Sequence, residues 1–313
     1  MKFKLFATVL ICAVIFIFSS KALAAELELV SYSAQVKLQW LANTGMPEAK
    51  KISKEFNTAN IYGKKNLKDY ERLEKINGIY QELCYASTAQ YVQKADYKNI
   101  FDIGGGYTPR AITFVNDGRK YFGAELNAIA LSAMQIMPKF VNPQYKKNLV
   151  YEEVLAEDRA TMIAATDRFS GKICLIEEGL QIYLTKPRTD AMLTIFHEIL
   201  KKHGGCYITT DFVMDDMFKE IAVALYGEGA ANTLYKETKD MYENLFGEAL
   251  YLNSFGSSAE ALKFLKSKGF KVQPVPLVAD TSKLYSLKGL TPQQAEKIKK
   301  ICAKNYLWVI TAQ

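Results

Sequence analysis

From residue 98 to residue 212 the chain alternates short apolar runs with stretches whose apolar residues recur every three or four positions. The runs are "KNIFDIG" (98–104), "KYFGAEL" (120–126), "NLVYEEV" (148–154), "GKICLIEEG" (171–179) and "GGCYITTDF" (204–212). Their length, apolar density and flanking glycines predict five strands, each separated from the last by a helix. The helix before the fifth strand has the plainest pattern. Pro187 starts it, Met192, Leu193, Ile195, Phe196, Ile199 and Leu200 share one face, and Gly204-Gly205 stops it. Strands and helices in strict alternation make a parallel sheet covered on both faces.

After Asp211 the pattern changes. Residues 212 to 256 have helical texture and carry Met214, Met217, Phe218, Tyr226, Tyr235, Tyr242 and Phe246. A helix opened by Ser258 follows, then "FKVQPVPL", then a helix that begins Thr291-Pro292-Gln293-Gln294, with the cap, the first-turn proline and the glutamine of a capping box. "YLWVIT" closes the sheet. The expected fold is therefore α/β: a seven-stranded, mostly parallel, doubly wound sheet over 98–313. A helical extension (25–97) precedes it and a helical insertion (about 212–256) interrupts it. Both additions are placed to roof the carboxyl ends of the strands, where ligands bind in open α/β sheets.

The first 24 residues stand apart from this pattern. Lys2 and Lys4, an uncharged run from Leu5 to Ser20 and Ala22-Leu23-Ala24 have the layout of a secretory signal peptide cut after Ala24. The expected location is outside the cytoplasm, in the periplasm or beyond, and the alternative is a membrane anchor formed by this segment uncleaved. Its removal deletes Lys2, Lys4 and Lys21 and no acid, so the formal charge falls from +7 to +4. No dense basic stripe with interleaved aromatics is present, so nucleic acid is not an expected partner; the lysines of 263–304 read as solvated helix faces. Of the four remaining cysteines, Cys174 and Cys206 lie in strand runs, where a thiol packs as a small hydrophobe. With no C-x-x-C spacing, and His197 and His203 on one helix, neither a disulfide framework nor a metal site is expected.

The candidate chemistry begins at "NIFDIGGGYTPR" (99–110). A phosphate-binding P-loop needs glycine and lysine five and six residues after its first glycine, and five residues after Gly104 stands Pro109. Pro109 also takes the third-glycine position of the dinucleotide fingerprint, counted from Gly104 and Gly106, which damages that reading without excluding it. Glu125 ends the second strand run twenty-one residues after Gly104, the distance of a carboxylate that accepts both ribose hydroxyls. Asp158 follows the third run in "VLAEDRA" and is placed to accept from an adenine amino group. Together these point to an adenosine without a phosphate tail.

The segments "FDIGGGYTPR", "YFGAELN", "VLAEDRA" and "ICLIEEGLQIYLT" resemble the S-adenosylmethionine-dependent methyltransferases of the leucine carboxyl methyltransferase family. That family's fourth strand runs into a Glu-Gly-Leu-x-x-Tyr-Leu signature, matched by Glu178 to Leu184. "VSYSAQVKLQWLANTGMPEAKKIS" is similar to the family's N-terminal helix and "LWVIT" to its last strand. The resemblance implies the seven-stranded class I methyltransferase fold, S-adenosyl-L-methionine as cofactor, and O-methylation of a carboxyl or hydroxyl group on a small molecule or peptide. It implies cofactor contacts from Asp102, Gly104, Gly106, Tyr107 and Arg110, with Glu125 on the ribose, Asp158 on the adenine and Glu178 at the sulfonium or amino end. Relatives often hold the methionine carboxylate with an arginine shortly before the first strand. "ELCYASTAQYVQ" has none, which leaves Arg72 and Arg110 as candidates. Tyr183 and Asp211 are the candidate orienting or basic groups, and 212–256 the candidate acceptor lid. Thr108 and Pro109 are expected to cap and start the helix behind the glycines. The Asp/Asn-Pro-Pro-aromatic turn of nitrogen methylation is absent after the fourth strand. Two other readings stay open: an exported binding protein that keeps the fold without catalysis, and a nicotinamide-dependent oxidoreductase.

Overall fold

A computed structural model describes residues 32–57, 70–246, 255 and 257–313, with the backbone alone at 70, 213–216, 239 and 241–246. Residues 1–24, expected to be a signal peptide, and the end of the insertion lie outside the described residues. All seven strands form where the apolar runs place them: β1 (Asn99–Ile103), β2 (Lys120–Glu125), β3 (Leu149–Glu153), β4 (Ile173–Glu177), β5 (Gly205–Thr209), β6 (Phe270–Pro276) and β7 (Tyr306–Ala312). They make one sheet in the order β3-β2-β1-β4-β5-β7-β6. Only β7 runs against its neighbours, pairing antiparallel with both β5 and β6. The expected seven-stranded, mostly parallel, doubly wound sheet is present.

Period-two alternation divides the core between the two faces. Ile100, Cys174, Ile176, Cys206, Ile208 and Val309 point to one face. They meet α1 (32–43), α2 (Pro47–Glu55), α4 (Arg110–Asn116) and α5 (Asn127–Ile136) through Leu38, Leu41, Ile52, Phe114 and Ala133. Phe101, Ile103, Ile173, Leu175, Tyr207 and Trp308 point to the other. There they meet α6 (Arg159–Thr166), α7 (Lys186–His203) and α10 (Ser258–Ser267) through Met162, Met192, Phe196, Ile199 and Leu265. Cys174 and Cys206 sit opposite each other on β4 and β5 as buried thiols.

The helical preface and the insertion pack on one another. α3 (Tyr70–Ala95), α8 (Met214–Tyr226), α9 (Glu228–Phe246) and α11 (Pro292–Lys304) share a third hydrophobic cluster built on Ile76, Leu83, Phe218, Ile221, Leu234 and Ile301. Met217 and Phe218 of the insertion are thus core, and Tyr226 and Tyr235 pack against it; Met214, Tyr242 and Phe246 have no described side chain. Deleting 213–255 would therefore uncover buried faces of α3 and α11 instead of removing a free lid. The other end of α3 belongs to the sheet, where Val92 enters the first cluster.

Local signals act as read, with one exception. The capping box of Thr291 and Gln294 forms, and Gly204 stops α7 at φ +68°. The exception is Thr108. The residue before α4 is Pro109, which has no side-chain cap, and the Thr108 hydroxyl accepts from Arg110 Nε at 3.2 Å instead. A buried guanidinium two residues on is the stronger local donor, and it takes the hydroxyl from the helix end.

Candidate functional site

In an open sheet of this order, β1 and β4 are the strands between which the winding reverses, and the crevice at their carboxyl ends is where ligands bind. Those ends carry the glycine turn after β1, Glu125 at the end of β2, Glu177 and Glu178 at the end of β4, and Asp211 just past β5. α1 lies over them.

The three glycines each answer a constraint within the protein. Gly104 and Gly106 have φ of +64° and +65°, which side chains on Cβ disfavour. Gly105 has an ordinary φ, but a Cβ there would stand 2.6 Å from the Asp102 carboxyl carbon. A Cβ on Gly106 would also meet Ala34 Cβ of α1 at 3.0 Å. Gly106→Val would therefore strain the fold as well as any ligand contact. The turn carries Gly106 N to Glu125 Oε1, 2.6 Å away. Burial pushes the Glu125 carboxyl up to about 8; the Gly106 bond opposes this and the neighbouring Asp102 adds to it.

Beneath the turn lies an ionic cluster. Arg110, fully buried, donates through Nη1 to Thr88 Oγ1 (2.7 Å) and through Nη2 to Glu178 Oε2, and its Nε stands 3.3 Å from Asp102 Oδ2. Tyr121 donates to the same Asp102 oxygen at 2.6 Å, while Asp102 Oδ1 is buried with no partner. Thr88 donates to Glu178 Oε1 at 2.7 Å, and Lys37 of α1 reaches the Glu178 carbonyl at 3.2 Å. Burial raises Glu178, but Arg110 and Lys37 outweigh it and hold the carboxyl below its usual range. Burial raises Asp102 despite Arg110. Lys37 also faces Glu125 and Asp211, so one ammonium serves several strand-end acids.

A second network joins β4 to β5. Glu177 accepts five hydrogen bonds: Leu180 N and Gln181 N on Oε1, and Gln181 Nε2, Tyr207 Oη and Thr209 Oγ1 on Oε2, at 2.9–3.2 Å. Thr209 Oγ1 accepts in turn from Asp211 N at 3.0 Å, and Asp211 Oδ2 accepts from Gly179 N at 2.6 Å. Burial and the adjacent Glu177 carboxylate push Asp211 well above the ordinary aspartate range.

The structure thus brings together Asp102, Gly104, Gly106, Arg110, Glu125, Glu178 and Asp211. Tyr183 sits on the short turn Gln181–Tyr183, in contact with Ser33 of α1 and facing Asp211. Tyr107 is packed, its hydroxyl 2.7 Å from Ser132 Oγ and its ring centroid 3.9 Å from that of Phe56. Asp158 accepts from Ala160 N at 3.0 Å as the cap of α6. Arg72 is the candidate the fold removes: it starts α3 with its guanidinium over the Tyr226 ring. It lies roughly 24 Å along the helix from Thr88, at about 1.5 Å per residue. Arg110 is engaged with acids. His197 and His203 bond Gly269 O and Asp167, away from this cluster.

Lys37, Thr88 and Glu177 were not among the residues singled out from the sequence. For Lys37 the signal was a charge interrupting the apolar stripe of Ala34, Leu38 and Leu41; for Glu177 it was an acid in phase with Ile173 and Leu175, hence pointing inward.

No family model matches the chain, and no curated protein matches it. Solved structures similar to it include the methyltransferase domain of bacterial CtHen1-C (12% identity, 74% of this chain and 97% of that one, TM-score 0.46). Another is magnesium protoporphyrin IX methyltransferase from Synechocystis PCC 6803 with bound SAH (12%, 82% and 98%, TM-score 0.44). A third is an O-methyltransferase family protein from Burkholderia thailandensis (9%, 90% and 72%, TM-score 0.44). Likeness at this level adds nothing to what the strand order already shows.

Proposed function

We propose that the chain is an S-adenosylmethionine-dependent methyltransferase acting on oxygen. The observation that carries the reading is the convergence of the glycine turn, Glu125, Glu178 and Asp211 at the reversal point of a seven-stranded sheet whose last strand is antiparallel. The residues present fit the cofactor. Glu125 supplies a carboxylate for ribose hydroxyls, the buried acids suit a ligand carrying cationic groups, and Asp102 Oδ1 is an acceptor with no partner. When bound, the cofactor supplies a methyl group already activated on a sulfonium, so the protein's task is alignment and exclusion of water. α1, through Ala34 and Lys37, covers the turn and the acids and performs that exclusion.

The test is titration calorimetry of the full chain with S-adenosylhomocysteine. Saturable binding, weakened about ten- to a hundredfold in Glu125→Gln, is expected from the loss of charge-assisted bonds. Absence of heat at millimolar ligand overturns the reading. We propose also that residues 1–24 direct export. Mass spectrometry of the chain from fractionated cells should find Ala25 as its first residue, and an intact Met1 in the cytosol would contradict this.

A further inference from the structure

The strand-end site gathers buried carboxyl groups around two cations. Asp102, Glu125, Glu177, Glu178 and Asp211 meet there, against Lys37 and Arg110 as cations. Both cations are already engaged, Arg110 with Glu178 and Asp102, Lys37 with Glu178. A carboxylate acceptor would find each described cation there already paired and would lie beside the ionised Glu178. A neutral hydroxyl meets no such barrier, but it must lose a proton as its oxygen is methylated.

Among these acids, the environments of Glu177 and Asp211 divide the labour. Glu177 has no exposure and five donors on its two oxygens; Asp211 is 7% exposed and is held at Oδ2 by Gly179 N. Glu177 grips Thr209, whose hydroxyl receives Asp211 N, so the first carboxylate fixes the backbone that presents the second.

We propose that the methyl acceptor is a neutral hydroxyl group, that Asp211 receives its proton, and that Glu177 is the positioning residue that holds Asp211. This rests on the methyltransferase reading above. In the step, the acceptor O–H bond breaks and its oxygen bonds to the methyl carbon; the S–CH3 electron pair stays on sulfur, and the proton passes to Asp211 in its ionised form, which leaves it as the neutral acid. A base whose affinity for protons lies near the working pH is the efficient one. Buried, and beside Glu177 and Glu178, Asp211 is shifted in that direction, with Lys37 opposing; among the described residues Tyr207 of β5, Tyr183 and Cys84 of α3 also face it.

Two measurements on the full chain test this. Carbon-13 carboxyl shifts, assigned to Asp211 by comparison with Asp211→Asn, should titrate well above the ordinary aspartate range near 4. In Glu177→Gln the midpoint should move down by about one pH unit or more, as removal of a neighbouring like charge requires. An Asp211 midpoint near 4, or one that Glu177→Gln leaves in place, overturns the proposal. The second measurement incubates the chain with methyl-labelled cofactor and a panel of phenols, alcohols, aromatic carboxylates, amines and a peptide with a free C-terminus. Base-stable methyl ether is expected, reduced about a hundredfold or more in Asp211→Asn with S-adenosylhomocysteine binding kept. Base-labile methyl ester, or an N-methyl product, overturns it. Failure of S-adenosylhomocysteine to bind would fall on the cofactor assignment instead, and the Asp211 titration would still decide this one.

Discussion

The rims of β2 and β4 end in buried carboxylates held in opposite ways. Glu178 at the β4 rim has a guanidinium, an ammonium and a hydroxyl on it, and its carboxyl lies below its usual range. Glu125 at the β2 rim has one backbone N–H on Oε1, and burial pushes it up to about 8. The difference separates an acid whose partners the fold supplies from one that it leaves under-compensated, which is the condition in which a ligand's hydroxyls complete the set.

The largest effect expected from breaking this contrast is on the balanced side. Glu178→Ala leaves Arg110 buried with Asp102 as its remaining carboxylate, and removal of one partner of a buried pair costs about 3–5 kcal/mol. Denaturant unfolding should show that loss; a change under 1 kcal/mol would mean the cluster is solvated in solution.

The under-compensated side yields a pH signature. Glu125 folded binds its proton up to about 8, whereas unfolded it releases it near the ordinary value of 4.5, so between those values the folded state holds more protons. Stability should accordingly fall as pH rises from about 4.5 to about 8, and this slope should be shallower by one group's share in Glu125→Gln, whose amide oxygen still accepts Gly106 N, while the raised Asp102 and Asp211 keep theirs. Parallel stability curves for the two proteins would contradict the assignment.

The smallest expected effect lies at the third rim. Asp158→Ala should cost about 1 kcal/mol as a lost helix cap. Asp158→Asn, which keeps the cap, should weaken S-adenosylhomocysteine binding if the carboxylate meets the adenine amino group and leave it unchanged if capping is its whole role.

The sheet was legible because period-two runs and glycine or proline stops act locally; all seven strands and the Thr291 box follow from neighbours in sequence. The site was legible where a residue ends a strand, as with Glu125, Glu178 and Asp211. It was obscure where partners come from far along the chain. Arg110 is one of two sequence candidates for the methionine carboxylate, and its partners Glu178 and Thr88 stand 68 and 22 residues away, where no local pattern reports them. Arg72 and Thr108 were misplaced for the same reason, since helix packing and a buried guanidinium decided their contacts. Asp102 and α1 already require glycine at 105 and 106, so those glycines by themselves do not report a ligand.

The most direct test of the convergent site is proton-linked calorimetry: S-adenosylhomocysteine titrated into the full chain at pH 7 in two buffers of different ionisation enthalpy. Accepting ribose hydroxyls favours the ionised carboxylate, so binding should release a substantial fraction of a proton from Glu125 in the wild type, a release that Glu125→Gln abolishes. Binding with the same proton exchange in both proteins, or no binding in either, would contradict the account.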